Sequence, residues 1–182
     1  MLQKKRSKIF QIAVGLVLGG GIGFASAYYG MKAGRELPDE VLLSCGIAAI
    51  PVFFFVIAFH ELGHAVAGIS QKFEFRMYVI GPFLWEKEQD GWKFKWNKNV
   101  NTAGGMVICL PTGTDNLKKR FLIYAAGGPV ASFLLTLFAF LLFKMSTPAT
   151  VSYVFVMIAA ISFLIFWLTA LPFHAGGFTS DG

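Results

Sequence analysis

The sequence predicts an α-helical integral membrane protein with about four transmembrane helices and a small antiparallel β-sheet inserted between the second and third. Three observations carry that prediction. The chain has 182 residues, 55% hydrophobic and only 14% charged, too apolar for an ordinary soluble domain. Four stretches, residues 9–31, 41–69, 119–143 and 151–171, each supply the roughly 20 apolar residues that a spanning helix needs. Residues 71–118, by contrast, are rich in charge, aromatics and glycine, a composition suited to water or the membrane interface.

Residues 1–8 form a basic N-terminus with Lys4, Lys5, Arg6 and Lys8. The first apolar segment, 9–31, carries Gly15, Gly19 and Gly23, a small-xxx-small ridge suited to close helix packing in lipid. Ala25-Ser26-Ala27 also resembles a signal-peptide cleavage site, but the apolar run is long for a signal, so a retained helix is expected. The second segment, 41–69, opens behind Asp39 and Glu40, where acids suit a helix N-terminus, and contains Pro51, a position for a kink. Within the insert, Phe73 to Tyr78 and Trp92 to Trp96 alternate apolar with polar, the period of a half-buried strand. Gln89-Asp90-Gly91 supplies a turn after Phe83-Leu84-Trp85, and Gly105 to Leu110 reads as a further strand. Two more helices follow, Pro172 closes the second of them, and residues 172–182 remain as a glycine-rich end.

The formal charge of +6 is explained by topology rather than by nucleic acid. Beyond the basic N-terminus, Lys72, Arg76, Lys87, Lys93, Lys95, Lys98, Lys118, Lys119 and Arg120 all lie in or beside the insert, and only Lys32, Arg35 and Lys144 fall elsewhere. That asymmetry places the N-terminus and the insert on the cytoplasmic side. Aromatics alternating with lysines would also suit single-stranded nucleic acid, but a sheet resting against lipid headgroups accounts for the same pattern. The bilayer is the expected partner, with no nucleic acid. Cys45 and Cys109 have no CxxC or CxxH spacing, so neither a disulfide nor a cysteine metal site is expected.

At the cytoplasmic end of the second segment stands His60-Glu61-Leu62-Gly63-His64. Residues four apart share a helix face, so His60 and His64 can aim two imidazole nitrogens at one metal ion, with Glu61 beside it as general base. Nearly 20 apolar residues precede the motif, and charge in such surroundings is costly and usually functional. The pattern points to Zn2+ and to hydrolysis. A third protein ligand is required. Asp181 is the leading candidate, since two crossings separate it from His64 and return the chain to the same side of the membrane; His174 is its competitor.

These residues resemble the site-2 protease family of intramembrane zinc metalloproteases. The likeness covers residues 41–182, with His60 and His64 at the family's histidine ligands, Glu61 at its catalytic glutamate and Asp181 at its aspartate ligand. Ala126-Gly127-Gly128-Pro129-Val130-Ala131-Ser132 is similar to the family's A-G-P-x-x-N signature, with Ser132 where asparagine is usual. Gly127, Gly128 and Pro129 are expected to permit tight packing or a local break rather than to act in catalysis. Thr169 replaces the asparagine of the family's N-x-x-P, and Pro172 stands nine residues before Asp181. Relatives usually continue past the Asp-Gly pair, and whether this chain is truncated there is left open by the sequence. The resemblance also implies cleavage of membrane-anchored protein or peptide substrates near the cytoplasmic leaflet. The alternatives are a membrane-bound zincin that trims soluble or lipidated peptides at the surface, and a non-catalytic membrane protein retaining the fold. Oligomeric state is not legible.

Overall fold

Apolar composition accounts for the three longest elements. The computed structural model describes residues 39–99, 102, 104–146, 149–170, 174–175 and 178–179. In it α1 spans Asp39–Ser70, α2 Leu117–Met145 and α3 Ala149–Ala170. Each contains a stretch long and apolar enough to cross a membrane. The basic N-terminus and the apolar segment expected at 9–31 lie outside the described residues. α1 and α2 run one or two residues further at each end than the apolar runs that announced them, since the helical backbone continues past the last apolar residue. Pro51 sits inside α1 and Pro129 inside α2, each removing one helical N–H donor.

Between α1 and α2 lie β1 (Phe73–Ile80), β2 (Phe83–Glu88), β3 (Gly91–Trp96) and β4 (Met106–Pro111). They form one antiparallel sheet in the order β3-β2-β1-β4. Gly81 turns β1 into β2 with φ +54°, a conformation that favours glycine. A bulge at Arg76 shifts the β1–β4 register between Phe75 and Met77 and puts Phe75 in ring contact with Tyr78.

The alternation in β2 and β3 divides the sheet into two faces. One carries Glu86, Glu88, Lys93 and Lys95, joined by ion pairs. The other stacks Phe83, Trp85, Phe94 and Trp96 in a ladder of tilted rings. The sequence pattern implied a half-buried β3, yet Trp92, Phe94 and Trp96 are 48, 50 and 64% exposed. Their face continues into an apolar groove of about 370 Å³ lined by Leu62, Val66 and Ile69 of α1 together with Phe75, Tyr78, Trp85 and Trp92. The alternation therefore marks a surface that joins the outward side of a spanning helix, not a strand packed into a protein interior.

Two cores hold the elements. Val52, Val56 and Leu135 are buried where α1, α2 and α3 meet. Ala65, Phe73, Val107 and Cys109 form a second cluster where the sheet sits on α1 and α2, with Tyr78 and Tyr124 packed against it. Tyr78 donates its hydroxyl to the Ala58 carbonyl of α1, Tyr124 donates to Val107 of β4 at 2.8 Å, and Arg120 donates to the Gln71 carbonyl at 2.7 Å. These bonds cross element boundaries and fix the sheet against the helix pair. After α3, β5 (His174–Ala175) pairs with β6 (Phe178–Thr179), a short ladder that the glycine-rich composition of this end did not announce.

Candidate metal centre

His60, Glu61 and His64 lie on the last turns of α1, and all three are buried, at 6, 8 and 6% exposure. The helix repeat brings the two rings side by side, with centroids 4.9 Å apart and planes at 83°. Their Nε2 atoms are separated by 3.3 Å. Two nitrogens bound to one tetrahedral zinc at about 2.0–2.1 Å each lie roughly 3.3–3.4 Å apart, so the observed spacing fits one ion between them. Among the described residues no group of three His, Cys, Asp or Glu side chains is placed to hold a metal. Asp181 lies outside the described residues. His174 is described in the backbone of β5, where it pairs with Thr179.

The far side of each ring is held. His64 Nδ1 is 3.0 Å from the Tyr124 carbonyl, which can only accept, so Nδ1 carries the proton and Nε2 offers a lone pair. The Gly128 N–H lies 3.3 Å from the same nitrogen; it is the longer contact and cannot donate to a protonated Nδ1. His60 Nδ1 is 2.8 Å from Ser132 Oγ. The donor set is thus two imidazoles whose Nε2 atoms turn inward and whose Nδ1 atoms are anchored outward, a donor type that suits zinc.

Small residues make this approach possible. A Cβ added to Gly63 would lie 2.3 Å from the Gly127 carbonyl oxygen, and one added to Gly127 would lie 2.4 Å from that of Gly63. α1 and α2 therefore cross backbone to backbone, with Ala131 and Ala67 beside the contact. A Cβ on Gly128 would fall 2.2 Å from His64 Nε2 and 2.7 Å from His60 Nε2. Gly127 accordingly serves helix packing, whereas Gly128 leaves room for the Nε2 atoms of His64 and His60. Pro129 and Ser132 are buried on the same stretch of α2.

The sheet closes the other side. Gly105, just before β4, has φ +105°, and a Cβ there would lie 2.6 Å from Glu61 Oε1. The Tyr78 phenol is pushed up to about 12, first by burial and then by the negative charge of Glu61. Both observations put the start of β4 and the body of β1 beside the proposed base. Burial also pushes the Cys109 thiol up to about 11, the opposite direction from that of a metal-binding thiolate.

A sequence profile for peptidase family M50 matches residues 48–174. The chain belongs to peptidase family M50, the site-2 proteases. No curated relative and no solved structure matches it. M50 membership implies an intramembrane metalloprotease, and the family is typically zinc-dependent; the three candidate spans agree with a multi-pass membrane protein.

Sequence reasoning missed three contributors to this M50 centre. Gly63 was legible in principle, since Gly63-xxx-Ala67 is a small-xxx-small pair like the Gly127-xxx-Ala131 pair opposite it. Tyr124 acts on His64 through its carbonyl, which every residue type possesses. Gly105 reaches Glu61 only because the sheet folds back onto α1, and no local pattern reports that.

Proposed function

We propose that the chain is a zinc metalloendopeptidase that hydrolyses peptide bonds of membrane-anchored substrates near the cytoplasmic leaflet. The observation that carries this reading is the buried pair of Nε2 atoms 3.3 Å apart, each ring held from its Nδ1 side. In this reading His60 and His64 are two ligands, Asp181 is the third in preference to His174, and Glu61 is the general acid–base. Zinc, when bound, polarises the scissile carbonyl and makes water a usable nucleophile near neutral pH. Glu61, one residue from a proposed ligand and buried, would take the proton from that water and deliver it to the leaving amine.

A substrate helix satisfies its own backbone hydrogen bonds, so its peptide carbonyl is shielded until the segment unwinds. β4 is an outer strand of the sheet, and the residue before it contacts the Glu61 position. An unwound segment added along β4 would keep its backbone paired while approaching the proposed base. The concentration of basic residues in the insert supports a cytoplasmic active-site face.

The test is Glu61→Gln, which keeps the side chain's size and removes its basicity. The variant is expected to bind zinc like the parent and to lose cleavage of a membrane-anchored reporter by about 10²-fold or more. Substantial cleavage by this variant refutes the role of Glu61.

A further inference from the structure

We infer that Ser132 is a positioning residue for the metal centre: its hydroxyl sets the orientation of the His60 ring, and is therefore engaged by a ligand rather than offered to substrate. The inference rests on the metalloprotease reading and extends it to a residue that the resemblance left as either substrate-binding or structural. Family likeness puts an asparagine at this position, where its amide would face a substrate backbone. Serine is shorter, and its Oγ lies 2.8 Å from His60 Nδ1. For Nε2 to hold a metal, Nδ1 must carry the proton, so here Nδ1–H donates and Oγ accepts.

Ser132 is completely buried, as is Ser162 of α3. Ser162 donates its hydroxyl to the Ser132 carbonyl at 2.9 Å, and Thr136 donates to the same carbonyl at 2.9 Å. A polar path thus runs from α3 through the backbone of α2 to a ring on α1, across an otherwise apolar interior. In lipid an unmatched hydroxyl is costly, so the path fixes its own geometry. Each hydroxyl on it has one acceptor or donor partner within 3 Å. The α3 link acts on the Ser132 backbone, while the bond from α2 to the ring comes from the Ser132 hydroxyl. That division separates positioning of the ligand from support of the fold.

The experiment uses the full chain in detergent, with Zn2+ affinity read by competition against a chromophoric chelator and the ligand field read from the visible spectrum of the Co2+ form. Ser132→Ala is expected to weaken zinc binding by about 10–100-fold, the usual cost of losing a metal ligand's outer partner, and to shift the cobalt bands. Ser162→Ala also removes one buried hydroxyl, but it leaves Ser132 Oγ on the ring. It is expected to keep zinc affinity within about threefold of the parent and the cobalt spectrum unchanged. A Ser132→Ala protein that binds zinc like the parent overturns the role of Ser132 alone. So does a Ser162→Ala protein as weak as Ser132→Ala, since the effect would then be one of general packing. A parent chain that takes up no zinc overturns this inference together with the metalloprotease reading.

Discussion

Gly128→Ala tests the geometry of the centre with one added carbon. The new Cβ would stand 2.2 Å from His64 Nε2 and 2.7 Å from His60 Nε2, where ordinary contact begins near 3.4 Å. One ring must therefore retreat by about 1.2 Å, several times the roughly 0.2 Å tolerance of a zinc–ligand distance. Each ring is tied at Nδ1, so retreat also breaks or stretches the bond that orients it. The expected loss of zinc affinity is at least about 100-fold, or roughly 2.7 kcal/mol. Folding should respond much less. Alanine gains up to about 1 kcal/mol over glycine in a helix, which offsets much of an overpacking cost of about 1–3 kcal/mol. Chelator competition gives the first quantity, and thermal unfolding of the metal-free protein gives the second. A Gly128→Ala protein that binds zinc within about threefold of the parent would refute the assignment of this space to the two ligand nitrogens.

Three further predictions rest on other contacts. Gly63→Ala sets a methyl against a backbone carbonyl rather than a movable ring, so α1 and α2 must separate; unfolding in mixed micelles should show a loss of about 2–3 kcal/mol, and an unchanged midpoint would count against the close crossing. Gly105→Ala strains a positive-φ position and crowds Glu61; cleavage should fall about tenfold or more with zinc affinity retained, the reverse of the Gly128 result. In the sheet, Lys93 and Lys95 hold the Glu88 carboxyl down to about 2 from an ordinary 4.5. Because the folded value is the lower one, this contribution is complete above about pH 4.5 and is lost as pH falls towards 2. Hydrogen exchange of β2 and β3 amides should accelerate modestly over that window, the pairs being solvent-exposed, and a Glu88→Gln protein should lack the change.

How much of this was legible in the chain depended on how local each signal was. The helices around Val56, Leu135 and Met157 could be read because a spanning helix writes its environment into about 20 consecutive residues. The motif at His60 to His64 was legible for a similar reason: one helical turn places both rings, and apolar flanks remove the bland explanation. The hairpin of β2 and β3 followed from alternation and the turn at Gly91, whereas the turn at Gly81 between β1 and β2 was not read. What resisted reading depended on which elements meet. Gly127 and Gly128 are adjacent and alike in sequence, yet one faces a carbonyl of α1 and the other faces two histidine Nε2 atoms. That difference is set by the crossing of two helices far apart in the chain. The exposure of Trp92, Phe94 and Trp96 agrees with a sheet resting against lipid headgroups, but alternation alone reports an apolar face without saying whether protein or lipid covers it.

The crossing at Gly63 and Gly127 has a consequence for how this protein can vary. Every other amino acid carries a Cβ, and at these two positions that atom would fall within 2.4 Å of a carbonyl oxygen on the opposite helix. Neither position has a conservative replacement, and a substitution at one cannot be rescued at the other, which is already as small as a residue can be. In an exhaustive mutational scan the two glycines should therefore be as intolerant as the histidines between which Gly63 sits. Their intolerance would have a different signature: the histidine variants would accumulate as inactive protein, and the glycine variants would fail to accumulate.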